Sequence, residues 1–134
     1  MKFVSDFMVE SFRSLMHNEV LKSYSDDIPV SIAHPFQPVG SYPLREQMMA
    51  LISDNTYGEL FQMAQQRGIG LEINTCSSSA EALRMFGIAK ECGCKFTLGS
   101  DGHSREALHT IEQTQGCIDY LGLNEEDFMD FTRV

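Results

Sequence analysis

The sequence is poor in positive charge. Ten Lys and Arg stand against nineteen Asp and Glu, for a formal net charge of −9. A duplex-binding surface needs clustered cations to displace counterions from phosphates, and none is visible, which argues against nucleic acid as a partner. The acidic balance leaves a small phosphate ester open, because a bound metal reverses the charge of a pocket locally. Long apolar runs are also missing: no stretch approaches the roughly 18–20 residues that cross a bilayer, so no membrane role is expected. Asp6 and Glu10 interrupt the N-terminal segment where a signal peptide needs an unbroken apolar core, and a cytoplasmic location is the default expectation. Cysteine is sparse. Cys76, Cys92, Cys94 and Cys117 lack zinc-ribbon or finger spacing, since Cys92-Gly93-Cys94 has one intervening residue and no second such pair. They are expected to be buried or incidental free thiols, with a redox or metal role as the alternative.

What is present is the composition of a soluble globular domain. The 134 residues, 43% hydrophobic and 22% charged, suffice for one core, and residues 1–134 are read as a single domain. Apolar residues Phe7, Met8, Phe12, Leu15, Met16 and Val20 recur at helical spacing, which predicts one amphipathic helix from Asp6 to about Ser23. Val30-Ser31-Ile32-Ala33 predicts a buried strand stopped by His34-Pro35, followed by a loop marked by Pro38, Gly40 and Pro43. Leu44 to Ile52 reads as a helix, and a capping box at Thr56-Tyr57-Gly58-Glu59 opens another that ends at Gly68. Ile69 to Asn74 is the second strand, and Ser78-Ser79-Ala80-Glu81 is a second capping box, opening a helix that ends at Gly93. Lys95 to Gly99 is the third strand, with a helix from Ser104 to about Leu121 and a short one opened by Asn124. Strands separated by helices of this length imply right-handed crossovers and a parallel α/β sheet.

In such folds functional groups gather where strands end. Here the three strands end in Ala33-His34-Pro35, in Leu71-Glu72-Ile73-Asn74, and in Gly99-Ser100-Asp101-Gly102-His103. Each motif has a plainer reading. His34 before Pro is a hydrogen-bonded loop residue, Asp101-Gly102 is turn punctuation, Glu72 is a strand acid paired with a cation, and Asn74 is a terminating cap. Together they bring a carboxylate and imidazoles to one edge, a donor mixture suited to zinc, manganese or iron.

This ordered set resembles the last motifs of the polymerase and histidinol phosphatase (PHP) family. The resemblance extends from about Ile28 onward, through the helix capped by Ser78 to Leu123-Asn124-Glu125-Glu126-Asp127-Phe128. It implies a distorted, TIM-like barrel of seven β/α units with up to three divalent metal ions at the strand C-termini. It also implies hydrolysis of phosphate esters with metal-bound hydroxide as the nucleophile. By the same resemblance His34 is a ligand of one metal, Asp101 of a second and His103 of a third. Glu72 and Asn74 shape the site. Arg105 reaches the substrate phosphate, or else is a solvent-exposed helix residue.

The family also opens with a His-x-His pair, further histidines and a bridging glutamate. This sequence has four histidines and no His-x-His; His17 and His109 are expected at the surface. The expectation is therefore a three-stranded partial barrel, the C-terminal half, with about one ligand left for each metal. A half barrel with two open strand edges and an apolar inner face should dimerise, swap elements or cover them. Two functions follow: a phosphoesterase of small phosphorylated substrates, completed by a missing N-terminal half or a second copy, or a non-catalytic remnant serving as an oligomerising interaction module.

Overall fold

The computed structural model describes residues 1–37, 44–74 and 78–132; Pro38, Gly40, Pro43 and Cys76 lie outside them. Three short β-branched or apolar runs form the sheet: β1 (Ser31–Ile32), β2 (Gly70–Ile73) and β3 (Phe96–Leu98). They pair in parallel in the order β1-β2-β3, with Ile32 beside Leu71, Leu71 beside Phe96, and Glu72 beside Thr97. Around them lie α1 (Lys2–Met16), α2 (Glu19–Asp27), α3 (Arg45–Ala50), α4 (Asp54–Gln66), α5 (Ala80–Glu91) and α6 (Gln115–Leu121). The chain is an α/β protein with an open, three-stranded parallel sheet.

Strand alternation divides the sheet into two unlike faces. Leu71, Ile73 and Phe96 are fully buried with Leu60, Phe61 and Ala64 of α4 and Met85, Phe86 and Ala89 of α5. The Phe86 and Phe96 rings meet edge to face at 6.1 Å. The other face carries Ser31, Glu72 and Thr97, all half-buried, with Ser31 Oγ 2.7 Å from Thr97 Oγ1. This second face is thus polar, where the half-barrel expectation was of an apolar one.

One of the two expected open edges is covered. Phe128 bridges Phe96 in parallel, and the Met129 N–H donates to Phe96 O at 2.9 Å, so the C-terminal segment extends the sheet beyond β3. Met129 also lies over Gly70, in the space that a Cβ there would fill.

Several helix ends differ from the sequence-based expectation, three of them through a competing cap. The expected Asp6–Ser23 helix is two helices, because the Asn18 side chain accepts from Leu21 N at 2.9 Å and starts α2 afresh. Ser53, three residues before Thr56, caps α4 by accepting from Thr56 N, so Thr56 is already helical. Ser79 rather than Ser78 caps α5, accepting from Ala82 N. The expected Ser104–Leu121 helix begins as a 3-10 segment, Glu106–Thr114, and becomes α-helical only at α6. Gly68 and Gly93 do terminate helices, with φ of 65° and 78°. The inward residues of α1 are Ser5, Phe12 and Met16; Phe7 and Val20, counted on the apolar stripe, are exposed.

Arg84 ties three helices together. Its guanidinium pairs with Glu81 on α5 and Asp54 on α4 and donates to Met49 O and Ile52 O at the end of α3, both at 3.1 Å. It also stands 5.3 Å over the Tyr57 ring, a cation–π arrangement.

Cys92, Cys94 and Cys117 are free thiols, the last two buried. Burial pushes the Cys94 thiol up to about 12 and that of Cys117 up to about 11, and raises the Tyr57 phenol as well. The unfolded chain ionises these thiols first, near the ordinary value of 9.0. Their contribution is therefore complete below that pH and is lost as pH rises towards the folded values. The urea midpoint is expected to fall between about pH 8 and about pH 10, and to fall less in Cys117→Ala, which tests the assignment.

Candidate functional site

The candidate residues sit at the C-terminal ends of the strands. His34 follows β1, Asn74 follows β2, and Asp101 lies three residues beyond β3. His34 and Asp101 both hold left-handed backbone, with φ of 50° and 52°. Such conformations cost non-glycine residues about 1–3 kcal/mol and persist where surrounding structure over-determines them. His34 also opens a turn. The Gln37 N–H donates to His34 O at 3.0 Å, closing a turn with Pro35 second and Phe36 third. Phe36, at φ 55°, occupies a position that ordinarily takes glycine. It is held there by stacking on Phe12 at 4.8 Å and meeting Tyr57 and Phe61 edge to face.

These turns bring the two outer strands' residues together. His34 Nε2 is 3.1 Å from Asp101 Oδ1, across the end of β2. Beneath them, Asn74 Nδ2 lies 2.7 Å from His34 Nδ1 and 3.4 Å from Glu72 Oε2, and the His34 N–H donates to the same carboxylate oxygen at 3.3 Å. Asn74 is almost fully buried, whereas the His34 and Asp101 side chains are about one-third exposed, at 39% and 34%. Gly99 lets the Glu72 carboxylate lie close over the backbone, in the space that a Cβ there would fill. Its place on the polar face, two residues after Thr97, follows from strand alternation.

His103 does not converge on the same point. Its Nδ1–H donates to Asp101 O at 2.7 Å, its Nδ1 stays 3.9 Å from Asp101 Oδ1, and its side chain is 87% exposed. Arg105 is exposed immediately before the 3-10 segment. His17 and His109 are exposed.

A metal ion about 2.0–2.2 Å from each donor needs neighbouring donor atoms roughly 3 Å apart. His34 Nε2 and Asp101 Oδ1 meet that spacing. Among the described residues, no group of three or more His, Cys, Asp or Glu side chains is arranged to hold a metal. Of the three expected ligands, His34 and Asp101 bring donor atoms to that spacing, and His103 lies apart from them.

Beside this pair, α1 and the His34–Gln37 turn enclose an open groove of about 230 Å³. Phe7, Phe12, Leu15, Ile32 and Phe36 line it, with His34 among its polar lining residues. No helix in the described residues is long and apolar enough to cross a membrane. Compared with known proteins, the chain matches no family model, no curated protein and no solved structure.

Proposed function

We propose that this chain is a sector of a PHP-like, TIM-type barrel, and that its strand ends form part of a metal-dependent phosphoesterase site. The observation that carries the reading is the 3.1 Å approach of His34 Nε2 to Asp101 Oδ1 between two strained strand ends. Support for the barrel comes from the parallel strand order, the helices packed on the apolar face and the polar character of the other face.

His34 and Asp101 would hold a zinc, manganese or iron ion, the rest of whose coordination comes from water, substrate or a completing chain. When bound, such an ion polarises a phosphoryl oxygen and acidifies water. Glu72 and Asn74 orient His34 from beneath. Arg105 and His103 stand on the rim, where positive charge or a hydrogen-bond donor meets a small phosphorylated substrate. The outer edge of β1 is where further strands or a second copy would pair with the sheet.

Hydrolysis of p-nitrophenyl phosphate with added manganese or zinc tests the proposal. Slow, metal-dependent turnover is expected in the wild type, falling at least about a hundredfold in Asp101→Asn. Turnover that is absent from both, or equal in both, favours a non-catalytic interaction module. That second reading has its own support in the exposed Phe3 and Phe7 of α1, 80% and 64% accessible.

A further inference from the structure

A carboxylate accepts hydrogen bonds and donates none, so the atom of Asn74 that faces Glu72 Oε2 must be its amide nitrogen. That same nitrogen lies 2.7 Å from His34 Nδ1. With a donor aimed at it, Nδ1 must accept, and the proton of the neutral ring sits on Nε2. Nε2 in turn lies 3.1 Å from Asp101 Oδ1. Glu72, Asn74 and His34 form one directed chain of donors and acceptors, with Asp101 Oδ1 beside its outer nitrogen.

We infer that Glu72, acting through Asn74, is a positioning device that sets the tautomer of His34 and keeps its ligand nitrogen paired with Asp101. A cation at Nε2 needs the opposite tautomer, with the proton on Nδ1. The Asn74 amide must then turn over to present its oxygen to Nδ1–H, which would set that same oxygen against the Glu72 carboxylate. The Glu72 carboxylate resists this reversal, because two acceptors cannot satisfy each other. A glutamine at position 72 can meet either face of the amide.

The consequence runs against simple electrostatics. Removing a carboxylate near a cation site ordinarily weakens cation binding, whereas here Glu72→Gln is expected to strengthen it. The zinc arm of this inference rests on the functional reading above; the tautomer arm does not.

The test uses the whole chain labelled with 15N-histidine, at about pH 8, where the free imidazole is mostly neutral. His34→Ala assigns the His34 signals among the four histidines. The wild type is expected to show an unprotonated Nδ1, and Glu72→Gln to shift the ring towards Nδ1–H. Asn74→Asp, which places a carboxylate acceptor against Nδ1, should shift it further. A wild-type ring protonated on Nδ1, or a tautomer that ignores both substitutions, overturns the inference. In zinc titrations Glu72→Gln should bind about tenfold more tightly than the wild type, the scale on which groups behind a ligand act. Weaker zinc binding in Glu72→Gln overturns the link to ligand readiness. Zinc binding unchanged in His34→Ala, alongside the expected tautomer shift, removes the metal reading and leaves the positioning role standing.

Discussion

Zinc affinity is expected to fall about tenfold or more in both His34→Ala and Asp101→Asn, and to stay within about threefold in His103→Ala. Sequence alone ranks the three residues alike, since each ends a strand motif. The structure separates them. His34 and Asp101 present a nitrogen and an oxygen 3.1 Å apart, close enough to serve one ion. His103 spends Nδ1 on its own loop carbonyl and turns an 87% exposed ring to solvent, so it would contribute no shared donor atom. Asp101→Asn keeps the side chain's shape and removes its charge, which makes it the cleaner of the two losses. Isothermal titration or equilibrium dialysis reads the result directly. Equal losses in all three variants would mean that the Asp101–His103 loop rearranges around the ion, and equal affinity in all three would end the metal assignment.

The separation was hidden from sequence for a specific reason. Asp101 and His103 are two positions apart, which suggested a shared direction, but Asp101 takes φ of 52° and turns the chain between them. Left-handed backbone is legible at glycine and scarcely at other residues. Phe36 is the sharper example, because nothing in its identity announces a positive φ that only the surrounding aromatic rings enforce. By contrast, the pairing of Glu72 with Asn74 under His34 follows from period-two alternation along β2, and both were readable as residues shaping the site. The strand positions were readable too, because each is a short apolar run closed by polar or turn-forming residues. Helix starts were less so. Ser53 and Thr56 both satisfy a cap pattern, as do Ser78 and Ser79, and local sequence does not rank such rivals. Hydrophobic spacing likewise ran past Asn18, since Val20 fits the stripe of α1 although it lies in α2 and is exposed.

The largest expected loss of stability is in Phe61→Ala. Phe61 is fully buried on α4, stacks on Tyr57 at 5.6 Å, and meets Phe12 and Phe36 edge to face at 6.0 and 5.9 Å. Its backbone carbonyl also accepts from the Cys94 thiol just before β3. Truncation of a buried Phe removes transfer free energy and leaves a cavity, together costing about 3–5 kcal/mol. Domains of this size hold about 5–15 kcal/mol in all, so the urea midpoint should drop by more than about 1 M. The loss also has a local consequence at the strand ends. Phe36 keeps its left-handed conformation only while rings press on it, and the His34–Gln37 turn depends on that conformation. With Phe61 gone, amide exchange at Gln37, whose N–H closes the turn, should accelerate more than exchange at Leu71 in the central strand. Equal acceleration at the two amides would show that the aromatic cluster supports the fold as a whole and does not specifically hold the turn that presents His34.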